Sequence, residues 1–444
     1  MADDHAPGRS WRILVATPFP PRLDGRHGGS RALAEFLAGL AKENRVALIS
    51  LRADDEFGVD QTLAGQFELV EEVRIPPVGE SFRARLVNWV RLRVSLLRGT
   101  PTWAAERTTV DFSERLGELA RTWHPDIVQL EYRIMGQFLP AILGVAPSIL
   151  VDHDPDSPDV KRGRPFLASF ENRAWKALGR SISRQVDGLV TFTDRDRRTV
   201  SAIAGSTPVV RIPISYDVPP APLDPAGTDT AGIVWIGSFI HPPNIDAAVR
   251  LAKHIFPGVQ ARVPDATLQL IGSHASGRVR HLDGGGVTVS EDVPDVRPYL
   301  DRAAVFAAPI RQGGGMRVKI LEALAYGKAI VASPLALEGL DVRDGEHVVV
   351  AETDEEFESS IVGLLEDPAR RTAIATAARR WAEDHMHADA QVRAYEALYS
   401  SIVNNGDRAP KESRPGADTH SLPPIAWPEK RSNIHDKRRP PRSA

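Results

Sequence analysis

The chain has 444 residues, of which 42 % are hydrophobic and 25 % charged, with a formal net charge of −3 and no cysteine. That length predicts two or three domains with well-formed cores. The charge balance argues against nucleic acid as a main partner, and the lack of cysteine excludes disulfides and cysteine-ligated metals.

Residues 1–10 are polar, without the apolar core of a signal peptide, and read as a flexible N-terminus. No apolar run approaches the length of a membrane span, so a cytoplasmic protein is expected, with peripheral contact at the inner membrane face left open. Trp11 to Thr17 reads as a buried parallel strand. Pro18 to Gly29 is broken by prolines and glycines, and Gly28-Gly29-Ser30 opens a helix to about Leu40, flanked by His27 and Arg31. The loop stands at the carboxyl end of the first strand, where ligands bind in open α/β sheets; a turn that merely needs glycine is an equal reading.

Arg45–Leu51 and Leu69–Ile75 are further strands. Between Arg83 and Arg98 five arginines occur with no acidic residue, while Phe82, Leu86, Val90, Val94 and Leu97 recur at helical spacing beside Trp89. Such a helix fits an anionic membrane surface, or packs on a core with a solvated basic face. Pro125 to Glu131 and Ser148 to Asp154 read as strands ending in Glu131 and in Asp152-His153-Asp154. Polar residues at adjacent parallel strand ends point into the crevice, which makes Glu131, Asp152, His153 and Asp154 the site candidates of this half; for His153 a structural histidine bonded to a carboxylate is the alternative. After a basic helix from Phe166 to Arg184 and strands at Gly188–Thr193 and Pro208–Pro213, residues 215–230 read as a linker rich in Pro, Gly and Asp.

The first domain thus covers 11–214 and a second 231–385. In the second, Ile233–Gly237 is a strand, Asn244 is expected to cap the next helix, and a strand ending at Gly272 is followed by Ser273 and His274. The apolar run Ala303–Pro309 leads into Arg311-Gln312-Gly313-Gly314-Gly315-Met316-Arg317-Val318-Lys319, a helix through Glu322 to Gly327, and another strand. Glycines at a helix start leave N–H groups open to an anion, phosphate above all. Arg317 and Lys319 add two cations, and Glu322 is a carboxylate suited to ribose or sugar hydroxyls. The bland reading has Glu322 pairing with Lys319. Helical sequence resumes from Pro368, with 386–404 long enough to cross back to the first domain, and 405–444 reads as a disordered tail.

Three stretches carry a family resemblance: Gly237-Ser238-Phe239 with Pro243-Asn244-Ile245-Asp246-Ala247, the series Gly313 to Ala323, and Glu338-Gly339-Leu340-Asp341-Val342-Arg343-Asp344-Gly345. Over roughly residues 11–400 the chain resembles a family-four retaining glycosyltransferase of the GT-B fold, an α/β architecture of two Rossmann-like doubly wound domains facing across a cleft. The resemblance implies a nucleotide-sugar donor on the second domain, a glycan, lipid-linked or small-molecule acceptor on the first, no metal or other cofactor, and polysaccharide or glycoconjugate synthesis. It places Glu322 on the donor ribose. Gly28, Gly29, Ser238, Gly272, Gly313, Gly314, Gly315 and Met316 are placed around the donor, and His153 at its sugar. Gly314 stands eight positions before Glu322, where many members carry a second glutamate. Ser238 and Asn244 stand where many carry an arginine and a lysine, so Arg317 and Lys319 are the expected substitute clamp on the diphosphate. A GT-B epimerase using Glu131 with His153, or a silent scaffold subunit, are the other readings.

Overall fold

The computed structural model describes residues 9–24, 28–54, 56–77, 81–155, 165–275, 277–314 and 317–406. His27, Gly315, Met316, most of the N-terminal stretch and nearly all of the expected tail lie outside the described residues.

Two parallel sheets organise the chain. The first has order β3-β2-β1-β4-β5-β6-β7. Its strands are β1 (Arg12–Thr17), β2 (Arg45–Arg52), β3 (Leu69–Arg74), β4 (Ile127–Glu131), β5 (Ser148–Val151), β6 (Gly188–Thr191) and β7 (Val209–Arg211). The second has order β10-β9-β8-β11-β12-β13. It comprises β8 (Asp229–Ile236), β9 (Thr267–Gly272), β10 (Val287–Glu291), β11 (Ala303–Ala308), β12 (Ala329–Ala332) and β13 (Val349–Val350). The central strands are apolar without alternation because helices cover both faces: Ile13 to Ala16 and Val305 to Ala308 are all buried.

The strand order reverses between β1 and β4 and again between β8 and β11. At such a point neighbouring carboxyl-end loops diverge and leave a crevice. The loop after β1 leads into helix α1 (Gly28–Leu40). Helix α2 (Phe82–Leu97) lies between β3 and β4 in the chain. The loop after β11 leads into helix α3 (Val318–Ala325). Both glycine-bearing loops therefore stand at switch points.

The fold departs from the sequence reading at several points. The strand expected over Ser148–Asp154 stops at Val151, and a 3-10 helix at Arg133–Ala141 was not foreseen. β8 begins at Asp229, inside the expected linker. The rest of that linker is fastened to the second lobe: Lys328 Nζ donates to Asp224 O (2.5 Å), and Arg379 Nη2 to Pro219 O (2.6 Å). The helix from Pro368 ends at His385, and a separate helix α4 (Ala388–Gly406) follows. Val392, Tyr395, Leu398, Tyr399 and Ile402 of α4 join the first lobe's core with Ile13, Leu37 and Ile149. The C-terminal helix thus belongs to the first lobe although the preceding chain belongs to the second.

Candidate active site

The start of α3 concentrates positive charge. Gly313 has φ +101°, and a Cβ there would meet Pro243 at 3.2 Å and the Arg317 guanidinium at 3.3 Å, so glycine is required. Gly314 beside it is buried. Among the described residues no side chain caps the first N–H groups of α3. Arg317 immediately precedes the helix, with Nε and Nη2 buried and lacking any hydrogen-bond partner. The Lys319 ammonium donates to Asn244 Oδ1 (2.5 Å) and sits 4.4 Å from the centroid of the Trp235 ring. Burial, then the neighbouring Arg317 charge, pulls Lys319 down to about 7. Burial also lowers Arg317, against the pull of Asp154, Glu338 and Asp196. Arg317 stands just before the helix, and Lys319 feels its charge.

Asn244 does not cap a helix as expected. That helix begins at Pro242 with His241 before it, and Asn244 instead donates to Ser238 O (2.8 Å) while accepting from Lys319. Ser238 is fixed further by the Ser273 hydroxyl at 2.9 Å. Gly272 has a packing reason to be glycine, since a Cβ there would lie 1.9 Å from Gly237 O. Ser238 and Gly272 therefore build the loop floor beside Lys319.

Glu322 pairs with neither Lys319 nor solvent. Its two oxygens accept from Arg31 Nη2 at 3.2 and 3.4 Å, and Oε1 accepts from the Tyr216 hydroxyl at 3.1 Å. Arg31 belongs to α1, so this contact joins the lobes. Gly28 meets α3 directly, a Cβ there lying 3.4 Å from Val318. The amino ends of α1 and α3 consequently face each other. Glu35, one turn further along α1, is raised to about 7, chiefly by burial.

In the first lobe Glu131 and His153 come together, with His153 Nε2 2.6 Å from Glu131 Oε2. Tyr132 between them in sequence distance has φ 69°, an uncommon conformation for an aromatic residue, and its ring stacks on His153 at 3.7 Å and 5°. Glu131 Oε1 accepts from Gln129 Nε2, and Gln129 Oε1 accepts from the Tyr399 hydroxyl of α4. Asp152 departs from expectation: it is 2 % exposed, and its Oδ2 accepts from Arg133 Nη2 (2.5 Å) and Nε (3.0 Å). It holds the loop after β5 instead of facing an acceptor. Gly29 and His153 line a cavity of about 30 Å³ together with Glu131, Phe36, Gln391 and Tyr395, room for about one water.

Sequence reasoning missed Tyr216, Glu35, Arg133, Gln129 and Tyr399, and took Arg31 only as a flank of the glycine loop. Among the described residues no three His, Asp or Glu side chains gather as metal ligands. A separate surface stands on α2, where Phe82 is 77 %, Trp89 55 % and Leu97 72 % exposed, with Leu86, Val87, Val90 and Val94 also exposed. The alternative of a core-packed stripe does not hold for these positions. No helix among the described residues is long and apolar enough to cross a membrane.

Residues 230–367 match the family model described as glycosyl transferases group 1. A phosphatidyl-myo-inositol mannosyltransferase of Mycolicibacterium smegmatis is 26 % identical over 258 residues, spanning 52 % of this chain and 66 % of that enzyme. A GDP-mannose-dependent monoacylated alpha-(1-6)-phosphatidylinositol monomannoside mannosyltransferase of Corynebacterium glutamicum is 28 % identical over 400 residues, 84 % of this chain and 93 % of that one. The fold is similar to sucrose-phosphate synthase from Thermosynechococcus elongatus, with TM-score 0.67 at 14 % identity over 89 % of this chain and 100 % of the other. It is also similar to Anabaena HepE in complex with UDP and glucose, with TM-score 0.61 at 12 % identity over 88 % and 100 %.

Proposed function

We propose that this chain, a glycosyltransferase of the GT-B fold, moves a hexose from a nucleoside diphosphate sugar on the second lobe to an acceptor on the first, with retention and without a metal. The observation that carries this reading is the pair Arg317 and Lys319: two enclosed cations at the start of α3, with no carboxylate among the described residues bonded to either. An enclosed charge without a partner is costly, and a diphosphate supplies four or so oxygens at the place where these cations and two helix amino ends converge. The same charges stabilise the departing diphosphate as the sugar–oxygen bond breaks. A phosphate oxygen of the leaving group takes the acceptor proton on the same face, so no separate base is required. His153 stands at the sugar, and Glu322 serves the ribose once Arg31 gives up the carboxylate. The absent second glutamate leaves backbone amides near Gly314 to meet the sugar.

GDP-mannose is the first donor to try, because relatives carry that dependence in their names. The exposed apolar and arginine-rich face of α2 fits an anionic lipid surface, which suits a lipid-linked acceptor in glycoconjugate or polysaccharide synthesis at the inner membrane face. The test is calorimetric titration of the full chain with GDP, UDP and ADP in metal-free buffer. One nucleotide is expected to bind, and to bind more weakly to Arg317→Ala and to Lys319→Ala; unchanged affinity in both variants would remove the clamp from the reading. The Glu131–His153 contact also suits an epimerase, which would change the donor sugar with no acceptor present.

A further inference from the structure

The C-terminal helix reaches the candidate site by a run of side-chain hydrogen bonds whose direction is fixed by chemistry. A carboxylate only accepts, so the Gln129 amide must turn its NH2 group to Glu131 Oε1, as it does. Its carbonyl oxygen then faces α4, where the Tyr399 hydroxyl donates to it. On the other side, His153 Nε2 can bond Glu131 Oε2 only by donating, at 2.6 Å. Nε2 therefore carries the hydrogen in the neutral ring, and Nδ1 is left as an acceptor. Tyr132 stacked on one face and Phe192 edge-on at 4.8 Å stop the ring from turning over. Tyr399 and Gln129 are both fully buried, and α4 is anchored beside them by Asn44 Nδ2 to Glu396 Oε1 (2.8 Å).

We infer that Tyr399 and Gln129 are positioning residues for His153, holding Glu131 so that the imidazole keeps the Nε2–H tautomer and offers Nδ1 to a hydroxyl of the bound sugar. The sugar contact rests on the function proposed above; the tautomer does not. On this account α4, which crosses from the second lobe, is a working part of the first lobe's site and not only a packing element.

The test is nitrogen NMR of the full chain labelled on histidine, without ligand, at a pH where the ring is neutral. The His153 signals are identified by their loss in His153→Gln. In the natural chain they are expected to report a protonated Nε2 and a bare Nδ1. In Tyr399→Phe the Gln129 carbonyl loses its donor and the hold of Gln129 on Glu131 loosens, so the carboxylate can swing off His153 Nε2 and the tautomer ratio is expected to move about fivefold towards Nδ1–H, the equivalent of one neutral hydrogen bond. Gln129→Met, which breaks the run at its middle, is expected to do the same and serves if Tyr399→Phe does not fold. A purely structural role would lower the melting temperature and leave the tautomer where it was. An Nδ1–H ring in the natural chain, or signals unmoved in a folded variant, would overturn the inference. Failure of the donor-site reading would show in the nucleotide titrations and leave these spectra untouched.

Discussion

At the mouth of the second sheet Arg317 and Lys319 are enclosed with no carboxylate among the described residues bonded to either, whereas at the mouth of the first sheet the charged groups are matched. Glu131 has His153 and Gln129, and Asp152 has Arg133. The first arrangement is a site with charge left over for something that must arrive. The second spends its polar groups on each other and gains fixed geometry. The contrast assigns anion binding to one lobe and orientation to the other, and it can be broken from either side.

The largest effect is expected at the cations. Removing either one deletes a charge-assisted contact, so Arg317→Ala or Lys319→Met should weaken nucleotide binding by about 1.5–3 kcal/mol, roughly 10- to 150-fold. Stability should move the other way. Lys319 is strained by burial and by Arg317, and replacing an unpaired enclosed charge by an apolar group of similar length relieves that. Calorimetry and thermal melts on the same variants check both signs. A variant that loses affinity and stability together would place the cations in the structural class.

The next effect is a pH profile with two limbs. Lys319 falls to about 7 in the fold from 10.5. Between those values the unfolded chain holds more protons than the folded one, so stability rises with pH over that window. Lys328, lowered by burial to about 8 from 10.5, adds to the same limb. Glu35 is raised to about 7 from 4.5. There the folded chain holds more protons, and stability falls as pH rises from about 4.5 to 7. These groups together predict a dip near neutrality, superposed on whatever else titrates. Melting temperature against pH should lose its acidic limb in Glu35→Gln and part of its alkaline limb in Lys319→Met. A bound diphosphate should recharge Lys319, so nucleotide affinity should decline as pH rises above about 7.

How much of this was legible follows from range. The strands at the switch points announce themselves as apolar runs, and the loops at Gly28-Gly29 and Gly313-Gly314 by their paired glycines, of which Gly313 is required by its φ of +101°; these signals are local. The partners of the site residues are not local. Arg31 meets Glu322 across 291 residues, and Tyr399 meets Gln129 across 270, and no periodicity encodes such pairs. Asn244 shows the competition directly: its sequence position favours a cap, but Ser238 O and the Lys319 ammonium offer two tertiary bonds, and those won. For α2 the helical period was readable, but its arginines and apolar residues are spread round the helix, so the sequence left open which face would be covered.

A smaller effect is expected at the joint between the lobes. Arg31→Ala takes away the cation on Glu322, leaving a carboxylate of 4 % exposure with Tyr216 as its one remaining partner among the described residues. The loss of stability should be about 1–3 kcal/mol, the penalty of a buried group left under-bonded. If Glu322 serves the ribose, Arg31 competes with the nucleotide, and nucleotide affinity in Arg31→Ala should hold or improve. A fall in affinity equal to that of Lys319→Met would instead make Arg31 a member of the clamp and carry the anion site across to the first lobe.

The smallest effect on the fold is expected on α2. Phe82 and Trp89 are 77 % and 55 % exposed, so Phe82→Ser and Trp89→Ser should each change stability by no more than about 0.5 kcal/mol and leave nucleotide affinity alone. Their effect should appear only in sedimentation with vesicles: the natural chain should bind vesicles containing phosphatidylinositol, and bind them less as salt rises, because the arginines contribute a screened attraction. The two variants should lose the apolar part of that binding. Binding equal to that of the natural chain would leave the arginines as an ordinary solvated face, and a stability loss of several kcal/mol would mean that α2 packs against something on the protein itself. Either result would detach the acceptor's chemistry from this helix while leaving the contrast between the two sheet mouths intact, since neither the cations of α3 nor the His153 pair is reached through it.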